Sequence, residues 1–364
     1  MGRIATRRDY GLLGEDGRRA VKDGLAAAEW YHTAIPRKEM KELMQRKDGP
    51  AIRDTLLWFG LLIGFAAGGI WFWGSLWAVP FFICYGVLYG SASDARWHEC
   101  GHGTAFRTRW MNDAVYAIAC FMIVREPTIW RWSHTRHHTD TIIVGRDPEI
   151  VAMRPPDILR IILNFFNIIN APRTMLGVVR HAFGQMSEEE KTFVPESEWP
   201  KVFVIARIWL VIHLAIIVVS LWLGSWIPLL LFGILPNMYG GWFSPLVGLT
   251  QHAGLAENVL DHRLNCRTVY MNPVFRFLYL NMNYHVEHHM FPMVPYHALP
   301  ALHERMKDDC PAPYPSTWAA YREIIPALLR QLKDPEYFVE RRLPAGARPF
   351  RPELHHEPAA APAE

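Results

Sequence analysis

The sequence predicts an all-α integral membrane protein with four transmembrane helices in two hairpins and a cytoplasmic helical cap that carries a histidine-rich di-metal site. Two charge-free stretches indicate the membrane part, since no Asp, Glu, Lys or Arg lies between Asp54 and Asp94 or between Arg207 and Glu257. Each stretch is long enough for two crossings of about 20 residues. Three histidine clusters outside these stretches indicate the metal site.

Each charge-free stretch contains an internal turn signal, WFWGSLW at 71–77 and GSWIP at 224–228. Both contain Gly and Trp, and Trp is enriched at membrane–water interfaces. Each stretch therefore predicts a helical hairpin. The expected spans cover about 55–73, 76–94, 203–222 and 226–247.

The distribution of Lys and Arg predicts the orientation. The lead at 1–53 is dense in both residues, whereas the two hairpin turns contain neither. The positive-inside rule then places both termini and the active site in the cytoplasm. In the membrane domain at 54–343, the cap comprises 95–202 and 251–343.

Composition argues against a signal peptide and against nucleic-acid binding, and it distinguishes short apolar runs and a tail from the membrane spans. The polar N-terminus has no signal-peptide pattern. A net charge of +3 without a basic, aromatic-interleaved stripe argues against nucleic-acid binding. The apolar runs at 114–124 and 158–169 are too short to span and predict interfacial or re-entrant helices. The Pro- and Ala-rich tail at 344–364 is expected to be disordered.

The three histidine clusters are HECGH, HTRHH and HVEHH. Their imidazoles recur at i, i+4 or at i, i+3, i+4, so each cluster can present them on one side of a helix turn. Three converging clusters supply more nitrogen ligands than one metal holds, which predicts a pair of metals. The candidate ligands are His98, His102, His134, His137, His138, His285, His288 and His289.

His252 is a ninth candidate ligand. It stands in LTQHAG, at the expected cytoplasmic end of the fourth span. A lone His in that position is commonly an interfacial hydrogen-bonding residue, but its place beside the other clusters favours ligation. His213 lies inside the third span and is expected to pack there with a hydrogen-bond partner.

Two other classes compete with a di-metal enzyme. HECGH matches the HExxH pattern of zinc proteases, in which the Glu is the general base. Such a site needs three protein ligands, so the other two clusters would be surplus. A haem or electron-carrying membrane protein needs facing histidines inside the spans, whereas these clusters lie outside them.

The three clusters, in this order around two hairpins, resemble the histidine boxes of the membrane fatty acid desaturase and hydroxylase superfamily. The resemblance covers roughly 95–305 and includes NYHVEHHMFPMVPYHALP. It implies a non-haem di-iron centre with O2 as co-substrate, bound by the eight cluster histidines and by His252. Some members place an Asn one turn before the ninth His, where this chain has Gly248.

The resemblance implies oxidation of unactivated C–H bonds in a lipid-like or hydrocarbon substrate, by desaturation or hydroxylation. HECGHGTAF and RWSHTRHHTDTIIVGRDPE look closer to bacterial hydrocarbon oxygenases of the rhizopine-catabolism type. That subgroup implies monooxygenation or oxidative demethylation of a small methylated substrate, and a bacterial inner membrane.

Metal-bound histidines need partners on their other ring nitrogen. Four acidic residues lie close enough in sequence to be candidates, although solvated or ion-paired cap charges are an equal alternative. These residues are Glu99, Asp140, Asp147 and Glu287.

The chain contains no dinucleotide fingerprint and no Cys cluster for an iron–sulfur centre. Electrons must then come from a separate ferredoxin, rubredoxin or Rieske-type protein with its reductase. The basic lead could steer such an acidic carrier, although the positive-inside rule alone explains these charges.

Overall fold

The computed structural model describes residues 8–355, and those residues are folded as helices joined by loops, with isolated β-bridges but no β-strand. The helices are α1 (Glu15–Lys22), α2 (Arg37–Leu43), α3 (Asp48–Trp71), α4 (Ala78–Gly86), α5 (Ala92–Gly101), α6 (Arg109–Met122), α7 (Pro127–Thr139), α8 (Ile158–Asn164), α9 (Asn170–Ala182), α10 (Trp199–Leu223), α11 (Ile227–Leu231), α12 (Ile234–Gly240), α13 (Phe243–His252), α14 (His262–Asn265), α15 (Pro273–Leu278), α16 (His285–Met290), α17 (Leu299–Met306) and α18 (Thr317–Gln331).

The first hairpin leads directly into the first histidine cluster. Helix α3 turns back at 72–77, and α4 continues through a π-helical turn, Val87–Ser91, into α5. A π-helical turn often marks a functional site within a longer helix. The helix that begins in the apolar stretch therefore continues into the cap and carries His98 there.

The second hairpin differs from the single fourth helix expected at 226–247. Helix α10 ends at Leu223 with Gly224 as its C-cap, and the returning chain forms three short helices, α11 to α13. The breaks follow from glycine: Gly233 has φ +78°, and a Cβ on Gly240 would lie 1.8 Å from the carbonyl carbon of Gly86. The chain therefore bends at these glycines and packs closely against α4, and it does not form one continuous helix.

Two of the described helical segments are long and apolar enough to cross a membrane, Arg37–Trp71 and Glu196–Leu223. Both present large apolar side chains outwards, including Leu56 and Ile63 on α3 and Val211 and Val218 on α10. Such exposed apolar rows are expected where a helix meets lipid.

The two interfacial candidates are helical over parts of their predicted ranges, as α6 and α8. Helix α6 is amphipathic, burying Val115 and Ala119 and exposing Trp110 and Ile118. Helix α8 buries none of its residues. Interfacial binding of these helices remains a prediction.

The N-terminal lead is packed against the cap. The Trp30 indole donates to the Thr139 carbonyl, and its ring stacks on His262 at 4.3 Å between centroids. The beginning of the tail also reaches this region, where Phe350 and Leu354 pack against a cluster that includes Trp30. The rest of the expected tail, 356–364, lies outside the described residues.

Candidate metal centre

All nine candidate ligands come together at one end of the helices, in two groups. Within each group the candidate ligand atoms lie within 4.8 Å of one another. The larger group has five histidines and the smaller has four. The five are His98, His102, His134, His138 and His288, and the four are His137, His252, His285 and His289.

Helical spacing explains how neighbouring residues join different groups. In α7, His134 and His138 are four residues apart and face the larger group, whereas His137 faces the smaller group. In α16 the assignment is reversed, since His285 and His289 face the smaller group and His288 the larger. Each of these two helices therefore contributes histidines to both groups, so the position of one group is fixed relative to the other.

The nitrogen atoms converge as ligands around a metal would. His134 Nε2 lies 3.1 Å from the Nε2 atoms of both His102 and His138, and His285 Nε2 lies 2.9 Å from His252 Nε2. Imidazole binds a divalent metal at about 2.1 Å, so adjacent ligands at right angles lie about 3 Å apart. Since a neutral imidazole has one N–H, these contacts cannot all be hydrogen bonds. The donor set therefore fits two metals.

Ring nitrogens without hydrogen-bond partners also support metal binding. The structure describes no hydrogen-bond partner for either ring nitrogen of His98, which is buried and packs 4.3 Å from the His134 ring. Burial and neighbouring imidazoles lower the pKa of His98, and burial lowers that of His102 to about 4. Both rings are therefore neutral near pH 7, the form that binds metal.

Two carboxylates orient ligand rings. His137 Nδ1 donates to Asp147 at 2.8 Å, and His134 Nδ1 donates to Glu149 at 3.0 Å. Burial alone would lower the pKa of His137, but the charge and hydrogen bond of Asp147 raise it. Each carboxylate keeps the proton on Nδ1 and directs the Nε2 lone pair into its group.

Comparison with known proteins agrees with this geometry. The family model described as "Fatty acid desaturase" matches residues 75–321, about two thirds of the chain, and that range contains all nine histidines. The chain belongs to the fatty acid desaturase family. It is also similar to an endoplasmic-reticulum omega-6 fatty acid desaturase of Brassica juncea, with 34% identity over 61 residues. That match spans only 17% of this chain and 16% of the relative.

Of the four acidic residues expected to support the histidines in this desaturase-family protein, one contacts a ligand ring, Asp147. The Asp140 carboxylate instead binds Arg146 and the Ala27 backbone amide. It lies at the end of α7 and faces the N-terminal lead instead of the histidines.

Glu99 and Glu287 also contact no ligand imidazole among the described hydrogen bonds. Glu99 accepts from Thr104 and from the Tyr296 amide, and burial raises its pKa to about 7. Glu287 accepts from His303 Nδ1 at 2.5 Å. Each lies next to a ligand in sequence but on another side of its helix.

Sequence reasoning missed three oxygen groups that contact ligand rings. They are Glu149, the Asn265 carbonyl, 2.7 Å from His252 Nδ1, and the Thr141 hydroxyl, 3.2 Å from His289 Nδ1. The only signal for Glu149 was its place in GRDPE, two residues beyond Asp147. The backbone carbonyl left no signal, because any residue supplies one.

A smaller cluster lies behind the four-histidine group. His262, Cys266 and His289 have candidate ligand atoms within 4.8 Å of one another, all buried. Burial raises the pKa of Cys266 well above its usual value, so its thiol is protonated. The His262 ring stacks on Trp30, which fixes the imidazole from the side of the N-terminal lead.

Proposed function

We propose that this chain is a membrane di-iron oxidoreductase that uses O2 and externally supplied electrons to oxidise unactivated C–H bonds of a lipid-like or hydrocarbon substrate. The observation that carries the proposal is the division of nine histidines, six of them buried and three partly buried, into groups of five and four. Imidazole-rich sites suit iron as well as zinc and copper, and family membership favours iron. When bound, a di-iron centre supplies the O2 activation that breaks such C–H bonds.

The protein's own residues provide position and a dry site. Glu149 and Asp147 fix the rings of His134 and His137, one in each group. Burial keeps the imidazoles neutral and limits the access of water. Because the sequence contains neither a dinucleotide fingerprint nor a Cys cluster for an iron–sulfur centre, we propose a separate ferredoxin, rubredoxin or Rieske-type donor with its reductase.

Lipid oxidation is favoured over the alternatives. The zinc-protease alternative uses His98 and His102 with Glu99 as base, but three more histidines meet the first two, and Glu99 hydrogen-bonds Thr104 instead. The match to an omega-6 fatty acid desaturase favours an acyl chain over a small methylated substrate. We also propose four spans in a bacterial inner membrane, with the centre facing the cytoplasm.

The test is the metal content of detergent-purified protein, measured by elemental mass spectrometry. We expect about two irons per chain in the wild type and fewer in His285→Ala, while the exposed His32→Ala retains the wild-type content. Oxidised acyl product should then form with a reconstituted ferredoxin system and O2. One zinc per chain that is indifferent to His285 would contradict the proposal.

A further inference from the structure

A pocket of about 540 Å³ lies beside the metal-binding helix α16, outside the two histidine groups. Its lining includes the apolar side chains of Ile35, Met40, Met44 and Phe291 and the cationic side chains of Arg37 and Lys41. None of its lining residues is acidic. The pocket therefore combines an apolar interior with two positive charges.

Helix α2 builds one side of this pocket with a single face. Arg37 and Lys41 are four residues apart, as are Met40 and Met44, so both pairs lie along neighbouring lines of the helix. Within the described residues, neither cation has a carboxylate at ion-pair distance, whereas Glu39 on the same helix pairs with Arg305 at 3.1 Å. The two pocket cations remain available to a ligand.

The inner wall of the pocket belongs to the metal-binding segment. Phe291 directly follows α16, and its amide donates to the Glu287 carbonyl at 2.9 Å. The Thr33 amide, from another lining residue, contacts the sulfur of Met290 at 3.0 Å. A ligand in the pocket therefore lies against the helix that carries His285, His288 and His289.

The helix α2 that lines the pocket leads into a candidate membrane span. Helix α2 leads into α3, and the two belong to one candidate membrane-spanning segment, Arg37–Trp71. The cations precede the charge-free stretch, as anchoring Lys and Arg do at a membrane surface. Anionic lipid headgroups are attracted to such residues.

We propose that this pocket binds the negatively charged headgroup of an acyl lipid drawn from the bilayer, beside the metal-binding helix. Arg37 and Lys41 pair with the headgroup, and the Met and Phe side chains contact the beginning of the acyl chain. As a substrate site, the pocket rests on the proposed lipid oxidation. As a lipid site, it can be measured without turnover.

The test compares two short-chain lipids with identical acyl chains, dihexanoyl phosphatidylglycerol and dihexanoyl phosphatidylcholine. Their binding to the full-length protein is followed by titration calorimetry below the micelle concentration, with inorganic phosphate as a third ligand. We expect the anionic lipid to bind roughly tenfold more tightly than the zwitterionic one. Equal affinities, or phosphate binding as tightly as the anionic lipid, would overturn the proposal.

Variants assign the preference to the pocket. Arg37→Gln with Lys41→Gln should remove the preference, whereas Lys22→Gln with Lys38→Gln changes the net charge equally outside the pocket lining and should keep it. Loss of the preference in both pairs would mean that general surface charge, and not this pocket, selects the lipid. Circular dichroism checks that each variant is folded.

Iron content separates this inference from the proposed function. The same titrations are repeated on protein stripped with a chelator. If the protein selects the anionic headgroup but binds no iron, the lipid-binding proposal is supported and the proposed di-iron function is contradicted. If the protein binds two irons but does not select the headgroup, the proposed function is supported and the lipid-binding proposal is contradicted.

Discussion

At the scale of single residues, the centre depends on keeping imidazoles neutral and correctly rotated. Burial lowers the pKa of eight of the nine candidate ligands, and only His137, beside Asp147, has a raised pKa. Asp147 and Asp140 stand in the same loop region yet differ in their contacts, one with His137 and one with Arg146. They form a natural pair for testing the role of ring orientation.

Asp147→Asn should weaken metal binding in the four-histidine group by about tenfold to a hundredfold, because an amide cannot fix the His137 ring as a carboxylate does. Asp140→Asn is the matched control and should leave metal affinity near the wild-type value, since its carboxylate contacts no ligand ring among the described residues. The measurement is iron retained against a competing chelator. Equal losses in both variants would contradict the assigned role of Asp147.

Acid should destabilise the metal-free protein. The pKa of His102 falls from 6.5 in an exposed ring to about 4 in the fold. Between these two pH values the imidazole is protonated in the unfolded chain and neutral in the folded chain. Stability is therefore fully present above about pH 6.5 and is lost as the pH falls towards 4, by up to about 1.4 kcal/mol per pH unit for this group.

Thermal unfolding of chelator-treated protein between about pH 7.5 and about pH 5 measures this effect. His102→Asn should show a shallower loss of Tm with falling pH, whereas the exposed His32→Asn should follow the wild type. An identical slope in His102→Asn would show that its imidazole is not held neutral by the fold.

At the scale of elements, the broken return of the second hairpin fits closely against α4. A Cβ on Gly240 would overlap the Gly86 backbone, and a Cβ on Gly86 would overlap the Tyr239 side chain. Hydroxyls on α4 and on the π-helical turn satisfy nearby carbonyls: Tyr85 donates to Leu231, and Ser91 donates to Gly240. Buried backbone groups at these breaks require such partners.

Gly240→Ala should destabilise the protein by about 1–3 kcal/mol or more, because its Cβ would overlap the Gly86 backbone, which cannot move as a side chain can. Gly248→Ala is the matched control, since a Cβ there meets nothing within 4 Å. Thermal unfolding in detergent compares the two. Comparable Tm values for both variants would rule out the close contact between α4 and α12.

At the scale of the whole molecule, the proposed topology places the centre at one side of the bilayer. Four helices, α5, α7, α13 and α16, carry eight of the nine histidines, and the ninth, His102, directly follows α5. The N-terminal lead covers α14 through the stack of Trp30 on His262. The proposed topology puts the turn at 72–77 on the side opposite to the cap.

Cysteine labelling in intact bacterial spheroplasts tests this topology. In a Cys84→Ser background, which removes the exposed native thiol, a membrane-impermeant maleimide should label Ser75→Cys from outside. Gln185→Cys, exposed in the cap, should react only after lysis. Labelling of both positions from the same side would contradict the hairpin.

The sequence by itself determined the helical class, the two apolar hairpin regions, the family and the nine candidate ligands, because membrane length and helical spacing are local properties. Only the tertiary structure decided how the histidines divide, for example that His137 and His138 face different groups. It also decided which acidic residues contact the rings, and it placed Glu149 at His134 while turning Asp140 towards Arg146. These choices depend on the relative rotation of packed helices and on loops that return from elsewhere in the chain, and spacing along one helix contains neither.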